Sequence, residues 1–224
     1  MSGGHFAEPA TIASYAERTR RVVPGLDVMH RLVDQILSET APDGARILVV
    51  GAGGGLEIDH LATHHPNWSF DGVDPSPQML ALARETIGEN ARRVNLHEGV
   101  AGCAPEGPFD GATCLLTLHF LSDEERIATL SEIRRRLLPA APLLTFHHTA
   151  SDGPDSLTWF QRYARYSPDP GTEPADVMRS AAAMSRRLPT LGPQEEEALL
   201  RNAGFSDIGL FYAALTFRGW VAYA

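Results

Sequence analysis

The sequence predicts an α/β fold in which seven strands form one doubly wound, mostly parallel sheet that ends in an antiparallel hairpin. Short apolar runs alternate with helical segments from residue 46 to residue 147, a spacing typical of right-handed βαβ crossovers. A glycine cluster follows the first apolar run directly. Two strand-like segments end the sequence with too few residues between them for a crossover helix, so they must be antiparallel.

Each element follows from its local pattern. Ahead of the sheet, helices are predicted at residues 10–21 and 26–39, the second because Leu26, Met29 and Val33 recur at helical spacing. Parallel strands are predicted at residues 46–50, 68–73, 93–97, 110–116 and 142–147. Helices between and after them are predicted at residues 56–64, 78–87, 123–138 and 193–202, and the hairpin strands at 206–211 and 215–223.

The alternation stops near Thr149, where a segment rich in proline, serine and aromatic residues begins. We therefore predict one domain over residues 1–224, with a helical prefix at residues 10–40 and an insertion at residues 150–190. The insertion falls near the carboxyl edge of the sheet, where it is expected to cover a substrate pocket.

The charge balance argues against a nucleic-acid partner. Nineteen basic residues face twenty-eight acidic ones, a net charge of −9, whereas binding to phosphate backbones depends on cationic side chains. No apolar run approaches the ~20 residues that span a bilayer, and the first residues lack the pattern of a secretion signal. We expect a soluble cytoplasmic protein without a membrane partner, and we leave a homodimer open.

All nineteen basic residues are arginine. Without lysine, the protein cannot form a Schiff base with a substrate or with pyridoxal phosphate, and it cannot build a P-loop. The lysine of the short-chain dehydrogenase site is missing as well. Cys103 and Cys114 are too few for a disulfide framework or a four-thiolate zinc site.

The sharpest local signal is the run Gly51-Ala52-Gly53-Gly54-Gly55 after the first strand. Glycines let the backbone turn tightly and approach a ligand, and the next helix directs its N-terminal N–H groups at that ligand. Asp74, after the second strand, falls where a doubly wound sheet places a carboxylate against ribose hydroxyls. A simple tight turn, and a helix N-cap for Asp74 in competition with Ser76, are the alternative interpretations. Because Leu56 replaces the third glycine of a dinucleotide fingerprint, the loop favours a nucleoside with a small amino-acid tail.

Together these motifs resemble the class I S-adenosylmethionine-dependent methyltransferases, whose Rossmann-like sheet has seven strands. The resemblance covers residues 10–224 and is carried by the glycine loop, Gly72-Val73-Asp74-Pro75-Ser76, Phe109-Asp110 and Gly204-Phe205. Within this superfamily the chain resembles the carboxy-S-adenosylmethionine synthase branch and its uncharacterised relatives. That closer likeness is carried by residues 21–25, 117–121, 125–126 and 211–222.

The resemblance implies S-adenosyl-L-methionine as cofactor. Gly51, Ala52 and Gly53 would hold its methionine end, and Asp74 its ribose. The other implied contacts are Pro75 and Met79 on the adenine, Gly99 and Val100 beside the base, and Leu116 and Thr117 toward the methionine portion or the sulfonium. Each position also has a structural interpretation, such as a core role for Met79.

Histidines supply the candidate catalytic residues, since their pKa lies near physiological pH. His119 follows the fourth strand and His147 ends the fifth. His148 is expected to point away from His147 because side chains alternate along a strand, and all three have structural interpretations. Tyr15 and Arg20 of the first helix are candidates to close over the cofactor.

Two further clusters have open interpretations. The aromatic residues of the insertion form either an apolar substrate face or a packing stripe: Trp159, Phe160, Tyr163 and Tyr166. His60, His64 and His65 have a spacing conceivable for zinc, but no acid lies between them as in H-E-x-x-H. A solvated helix end is therefore favoured there, and no metal ligand is predicted.

The predicted function is S-adenosylmethionine-dependent methyl transfer to a small-molecule acceptor. One alternative is an enzyme of the carboxy-S-adenosylmethionine synthase type, which modifies the cofactor itself. Another is a non-catalytic S-adenosylmethionine-binding protein, suggested by Val49 and Val100, which stand where the superfamily commonly has acids. A nicotinamide enzyme is a more remote alternative.

Overall fold

The computed structural model of the protein describes residues 11–150, 156–166, 168 and 171–224. Its strands are β1 (Arg46–Val50), β2 (Ser69–Asp74), β3 (Val94–Glu98), β4 (Gly111–Leu115), β5 (Pro142–His148), β6 (Ser206–Ala214) and β7 (Phe217–Tyr223). They form one seven-stranded sheet in the order β3-β2-β1-β4-β5-β7-β6. Strand β7 is antiparallel to both of its neighbours, and the remaining pairs are parallel. The predicted α/β fold, a Rossmann-like doubly wound sheet with a C-terminal hairpin, is confirmed.

The helices cover both faces of this sheet. They are α1 (Thr11–Val22), α2 (Leu26–Ser38), α3 (Leu56–His64), α4 (Pro77–Ile87), α5 (Asp123–Arg136), α6 (Ser156–Tyr166), α7 (Pro174–Arg187) and α8 (Pro193–Asn202). Outside the insertion and the hairpin, the predicted element bounds agree with these within two residues. None of the helices in the described part of the chain is both long enough and apolar enough to span a membrane.

The core consists of two apolar layers separated by the sheet. Side chains alternate along β1, so Ile47 and Val49 enter the layer beneath α2, α3 and α4, while Leu48 and Val50 enter the layer beneath α5 and α8. Burial on both faces explains why this strand is apolar throughout rather than alternating. The same arrangement brings the polar residues at the strand ends to one edge.

The structure differs from the prediction mainly at the hairpin. Strand β6 extends to Ala214, beyond the predicted end at residue 211, and β7 begins at Phe217 rather than at residue 215. The β6–β7 ladder has register shifts between Ser206 and Gly209 and between Leu210 and Tyr212. Such irregularities break the two-residue alternation on which strand prediction depends. The division into one domain with a prefix and an insertion stays a prediction.

Candidate functional site

The candidate site lies where the strand order reverses, between β1 and β4. The chain leaves β1 toward β2 on one side and later adds β4 on the other. Open α/β sheets form a ligand crevice at this point, outside the carboxyl ends of the strands. The glycine loop, Asp74 and Thr117 all lie at these ends, so the fold brings them together.

The glycine loop requires its glycines for two separate reasons. Gly51, Gly53 and Gly55 have φ angles of 79°, 50° and 81°, in the left-handed region that residues with a Cβ rarely adopt. Space is also short: a Cβ on Gly51 would lie 1.9 Å from Thr117 Oγ1, and one on Gly55 would lie 2.9 Å from Ala83 Cα. The loop therefore forms a bare-backbone cradle.

Hydrogen bonds fix this cradle to the end of β2. The backbone N–H groups of Gly51 and Ala52 donate to the Val73 carbonyl at 2.8 and 2.9 Å. The next N–H in the loop, that of Gly53, donates to Asp74 Oδ2 at 2.9 Å. The shape of the loop after β1 is thus held by the last two residues of β2.

Asp74 is well placed to accept further hydrogen bonds. Its second oxygen, Oδ1, accepts from the Ser76 N–H at 2.9 Å, and an ionised carboxylate offers about four acceptor positions. Burial raises the pKa of Asp74, and the hydrogen bonds from Ser76 and Gly53 oppose that rise. The helix cap is supplied by Ser76, whose Oγ accepts from the Met79 N–H at 3.3 Å. Asp74 is therefore not needed as the cap of α4.

Three more of the predicted cofactor residues lie beside the glycine loop or beside Asp74 and the residue bonded to it. Met79 is buried, with its Cε 3.8 Å from where a Gly53 Cβ would stand. Gly99 has a φ of 141°, and its N–H donates to the Asp74 carbonyl at 3.1 Å. Val100 is 63% exposed, which is unusual for valine and leaves its side chain accessible to the adenine base of a cofactor. Their roles as cofactor contacts stay predictions.

Leu116 carries a backbone strain that the sequence does not reveal. Its φ is 55°, and a leucine in the left-handed region costs about 1–2 kcal/mol. Residues held in such conformations concentrate at ligand sites. Leu116 directly precedes Thr117, which reaches the glycine loop while its Oγ1 donates to the Leu115 carbonyl at 2.9 Å.

Tyr15 of α1 covers the glycine loop. Its Cε1 lies 2.5 Å from where a Gly54 Cβ would stand, its hydroxyl interacts with the Gly54 backbone, and burial raises its pKa. This contact sets Tyr15 beside the loop, and its closing over the cofactor stays a prediction. Arg20 is instead directed at Asp27, with 3.5 Å between Nε and Oδ1.

The three predicted histidines form a buried group at the ends of β4 and β5. The ring centroids of His119 and His148 are 5.1 Å apart, and those of His119 and His147 are 6.4 Å apart. Burial, followed by the nearby His148 and His147, holds the pKa of His119 well below its usual range. His119 is therefore neutral at physiological pH, and its Nδ1 is buried without a hydrogen-bond partner among the described residues.

His147 and His148 point to opposite faces of the sheet, as predicted. His147 Nε2 lies 3.0 Å from Glu196 Oε1 on α8, and the same oxygen accepts from Arg126 Nη1 at 3.0 Å. All three side chains are almost completely buried. Sequence patterns did not reveal this ion pair because its partners lie 70 residues apart.

His148 faces the insertion instead. Its Nδ1 lies 2.8 Å from Thr216 Oγ1, and its ring packs edge-on against Tyr163 of α6 with centroids 4.9 Å apart. Burial lowers the pKa of His148 to about 3. Of the aromatic residues of the insertion, Phe160 is buried and Tyr166 is 52% exposed, and both interpretations, a substrate face and a packing stripe, stay predictions.

Glu57 is a buried acid that sequence reasoning missed. It lies in the first turn of α3, directly after the glycine loop, and is 8% exposed. Burial raises its pKa to about 7, opposed by the Thr113 side chain. The charge on Glu57, which lies close to the crevice, therefore changes with pH in the physiological range.

Comparisons with known proteins support a methyltransferase domain and fold. The family described as "Methyltransferase domain" matches residues 47–140, from the second residue of β1 to just beyond α5, with the glycine loop included. A carboxy-S-adenosyl-L-methionine synthase from Chromohalobacter salexigens is 27% identical over 219 residues, covering 95% of this chain and 80% of that protein. A carboxy-S-adenosyl-L-methionine synthase 1 from Yersinia pseudotuberculosis is 23% identical, covering 92% of this chain and 88% of that protein.

Solved structures show the same fold at lower identity. An O-methyltransferase family protein from Burkholderia thailandensis superposes with a TM-score of 0.69 at 15% identity, covering 97% of this chain. Human N-acetylserotonin methyltransferase, solved in complex with S-adenosylmethionine, superposes with a TM-score of 0.57 at 16% identity and covers 99% of this chain. This chain spans 61% and 60% of the lengths of those two proteins.

Proposed function

We propose that this chain, which belongs to the class I S-adenosylmethionine-dependent methyltransferase superfamily, transfers a methyl group from S-adenosylmethionine to a small-molecule acceptor. The observation that carries the proposal is a hydrogen bond between the glycine cradle and Asp74. The backbone N–H of Gly53 donates to the Asp74 carboxylate at 2.9 Å. This hydrogen bond places bare backbone and a fixed acceptor group side by side at the switch point of the sheet.

The residues present fit S-adenosylmethionine. Two of the acceptor positions of Asp74 are used by Gly53 and Ser76, so each carboxylate oxygen retains a lone pair for one of two ribose hydroxyls. The cradle has no side chain where Gly51 and Gly53 turn, which leaves room for an amino-acid tail. Val49 and Val100 stand where the superfamily commonly has acids. We therefore expect backbone groups to bind the methionine amine and the adenine base of the cofactor.

When bound, S-adenosylmethionine would supply a methyl group on a positively charged sulfur, with the neutral thioether S-adenosylhomocysteine as leaving group. The task of the protein is then to position the acceptor and exclude water, which can supply up to roughly 7–11 kcal/mol of the barrier. Tyr15 covers the loop from one side. His148, Tyr163 and the rest of α6 close the carboxyl end of β5 from the other.

We assign His119 as the group that accepts a proton, where the acceptor must lose one. Its ring is neutral, and its Nδ1 has no hydrogen-bond partner among the described residues. The lowered pKa makes the ring a weak base, so it suits an acceptor that gives up its proton readily. His147 is the second candidate from the sequence, but its Nε2 already faces Glu196 at 3.0 Å. Its contribution is therefore proposed to be the positioning of α8 against β5.

The proposal is tested by incubating the full chain with S-adenosylmethionine and a panel of small hydroxylated, amine and carboxylate acceptors. We expect S-adenosylhomocysteine to form only when a suitable acceptor is present, and the product to gain one methyl group by mass spectrometry. Tight binding in calorimetry without any S-adenosylhomocysteine would contradict methyl transfer and favour a non-catalytic binding protein.

A second candidate function is that of a carboxy-S-adenosylmethionine synthase. It is favoured by relatives with that name, which align with 95% and 92% of this chain. The mass of the ligand that co-purifies with the protein separates the two functions, since the carboxylated cofactor is heavier than its parent. The small-molecule substrate, the homodimer and the cytoplasmic location remain proposals that accompany either function.

A further inference from the structure

A second group of polar side chains lies away from the cofactor crevice, where α2 passes the C-terminal half of α3. Asp34 of α2 faces His60, His64 and His65, and we call these four residues the histidine cluster. Asp34 Oδ2 lies 3.3 Å from His60 Nε2 and 3.9 Å from His64 Nδ1. Its other oxygen, Oδ1, lies 2.5 Å from His65 Nε2.

The sequence favours a solvated helix end here, and the exposure of His64 agrees with that, but the structure adds an acid that the sequence pattern did not reveal. The acid that the sequence lacked between the histidines is supplied by Asp34, 26 positions before His60 and on a different helix. The side chains of Asp34 and His60 are only 16% and 19% exposed, and that of His64 is 54% exposed. The cluster is thus half-buried, with one side open to solvent.

His60 is the residue without a satisfactory partner. Its Nε2 is buried and makes no hydrogen bond of adequate geometry with any described residue, although the Asp34 carboxylate is 3.3 Å away. A buried nitrogen in this position loses its interaction with water and gains only a poorly aligned contact with the Asp34 carboxylate in return. A cation between the nitrogen and the carboxylate would satisfy both.

We propose that the histidine cluster binds a divalent transition-metal ion, with Asp34, His60 and His64 as ligands. One ligand atom from each of these three residues lies within 4.8 Å of the others, and His60 and His64 share one helix face because they are four residues apart. Imidazole and carboxylate donors without thiolate suit zinc and its neighbours. A fourth coordination position remains for water.

His65 orients the site rather than binding the ion. By donating to Asp34 Oδ1, it turns the other oxygen toward His60 and His64, as outer-shell partners of metal ligands commonly do. His64 Nδ1 now lies 2.7 Å from the His60 carbonyl, and it would exchange this hydrogen bond for the metal. The ion would join α2 to α3, and so fasten the helical prefix to the element that starts at the glycine loop.

The test is a titration of the untagged full chain, freed of metal by a chelator, with Zn²⁺ in a calorimeter. We expect one saturable site per chain, weakened at least tenfold in Asp34→Asn, His60→Gln and His64→Gln. The matched control is His97→Gln, because His97 forms an ordinary pair with Asp71 at 2.9 Å and should leave the affinity unchanged. Zn²⁺ should also raise the unfolding temperature of the wild type and of His97→Gln, but not that of His60→Gln.

Three results would overturn the proposal: no saturable site in the wild type, unchanged affinity in all three ligand variants, or equal loss in His97→Gln. His64→Gln keeps the test decisive if the less exposed variants fail to fold, because His64 is 54% exposed. The binding measurement requires no knowledge of the reaction, so its outcome is independent of the proposed function.

Discussion

The backbone N–H of Gly53 donates a 2.9 Å hydrogen bond to Oδ2 of Asp74. This contact links the loop after β1 to the last residue of β2. One carboxylate therefore holds the shape of the glycine cradle and also offers acceptor positions to a ligand. Removing it is expected to affect binding through both roles.

Asp74→Ala should therefore weaken S-adenosylmethionine binding by about 1–3 kcal/mol, the cost of losing a hydrogen bond to a charged group. Calorimetric dissociation constants measure the effect. Asp43→Asn is the control, because Asp43 is exposed, lies before β1 and accepts a hydrogen bond from the Asn67 side chain. An unchanged dissociation constant for Asp74→Ala would reject the ribose role.

Gly51→Ala should abolish cofactor binding or prevent folding. The new Cβ would lie 1.9 Å from Thr117 Oγ1 at a φ of 79°, where a left-handed non-glycine residue already costs about 1–2 kcal/mol. Gly44→Ala is the matched control, since nothing lies within 4 Å of its Cβ position. Thermal unfolding and binding should be nearly unchanged in the control, and equal behaviour of the two variants would contradict the close contact with Thr117.

His119→Gln should lower kcat by about 10²- to 10⁴-fold if the ring acts as the base. The cofactor dissociation constant should stay the same, because His119 lies beyond the loop at the end of β4. Steady-state kinetics and calorimetry on the same preparation separate the two effects, with His97→Gln as control. A normal kcat would identify His119 as a structural histidine.

Glu57→Gln should stabilise the protein at pH 8 but not below pH 4.5. Because burial raises the pKa of folded Glu57 from 4.5 to about 7, the folded state binds more protons than the unfolded state in that interval. Wild-type stability therefore falls as the pH rises through it, by up to about 3 kcal/mol. The positive end of α3 opposes this by no more than about 1 kcal/mol.

Unfolding midpoints measured from pH 4 to pH 8 test this prediction for Glu57. Glu85→Gln serves as control because Glu85 is exposed. The unfolding midpoints of this variant should follow those of the wild type at every pH. A parallel profile for Glu57→Gln would show that the carboxyl is already charged in the folded protein.

Glu196→Ala should destabilise the protein by about 3–5 kcal/mol, since it leaves the buried Arg126 guanidinium without its charge partner. The neighbouring Glu197→Ala removes an exposed pair with Arg201 and should cost no more than about 1 kcal/mol. Chemical denaturation compares the two. Equal losses would mean that Arg126 is satisfied by backbone carbonyls alone.

Much of the site was predictable because its requirements are local. A turn with φ near 79° at Gly51 needs glycine whatever surrounds it, and β2 ends at Asp74 wherever the apolar run ends. The β5 histidines point to opposite faces because strand geometry alternates. The hairpin was harder, since its register shifts disturb that alternation.

Other features depend on residues far apart in the chain, and no pattern within a window can reveal them. Arg126 meets Glu196 70 positions away, Tyr15 reaches Gly54 from another helix, and Asp34 supplies the acid that the α3 histidines lacked.

The amino-acid sequence by itself determined the order of strands and helices, the bare-backbone loop and the carboxylate that follows β2, because each depends on apolar period or on allowed backbone angles. The tertiary structure alone decided which side chains face each other across the sheet and between helices. The physical reason is that charge pairing, burial and a shared ligand site depend on distances in space, which chain packing sets after the local elements have formed.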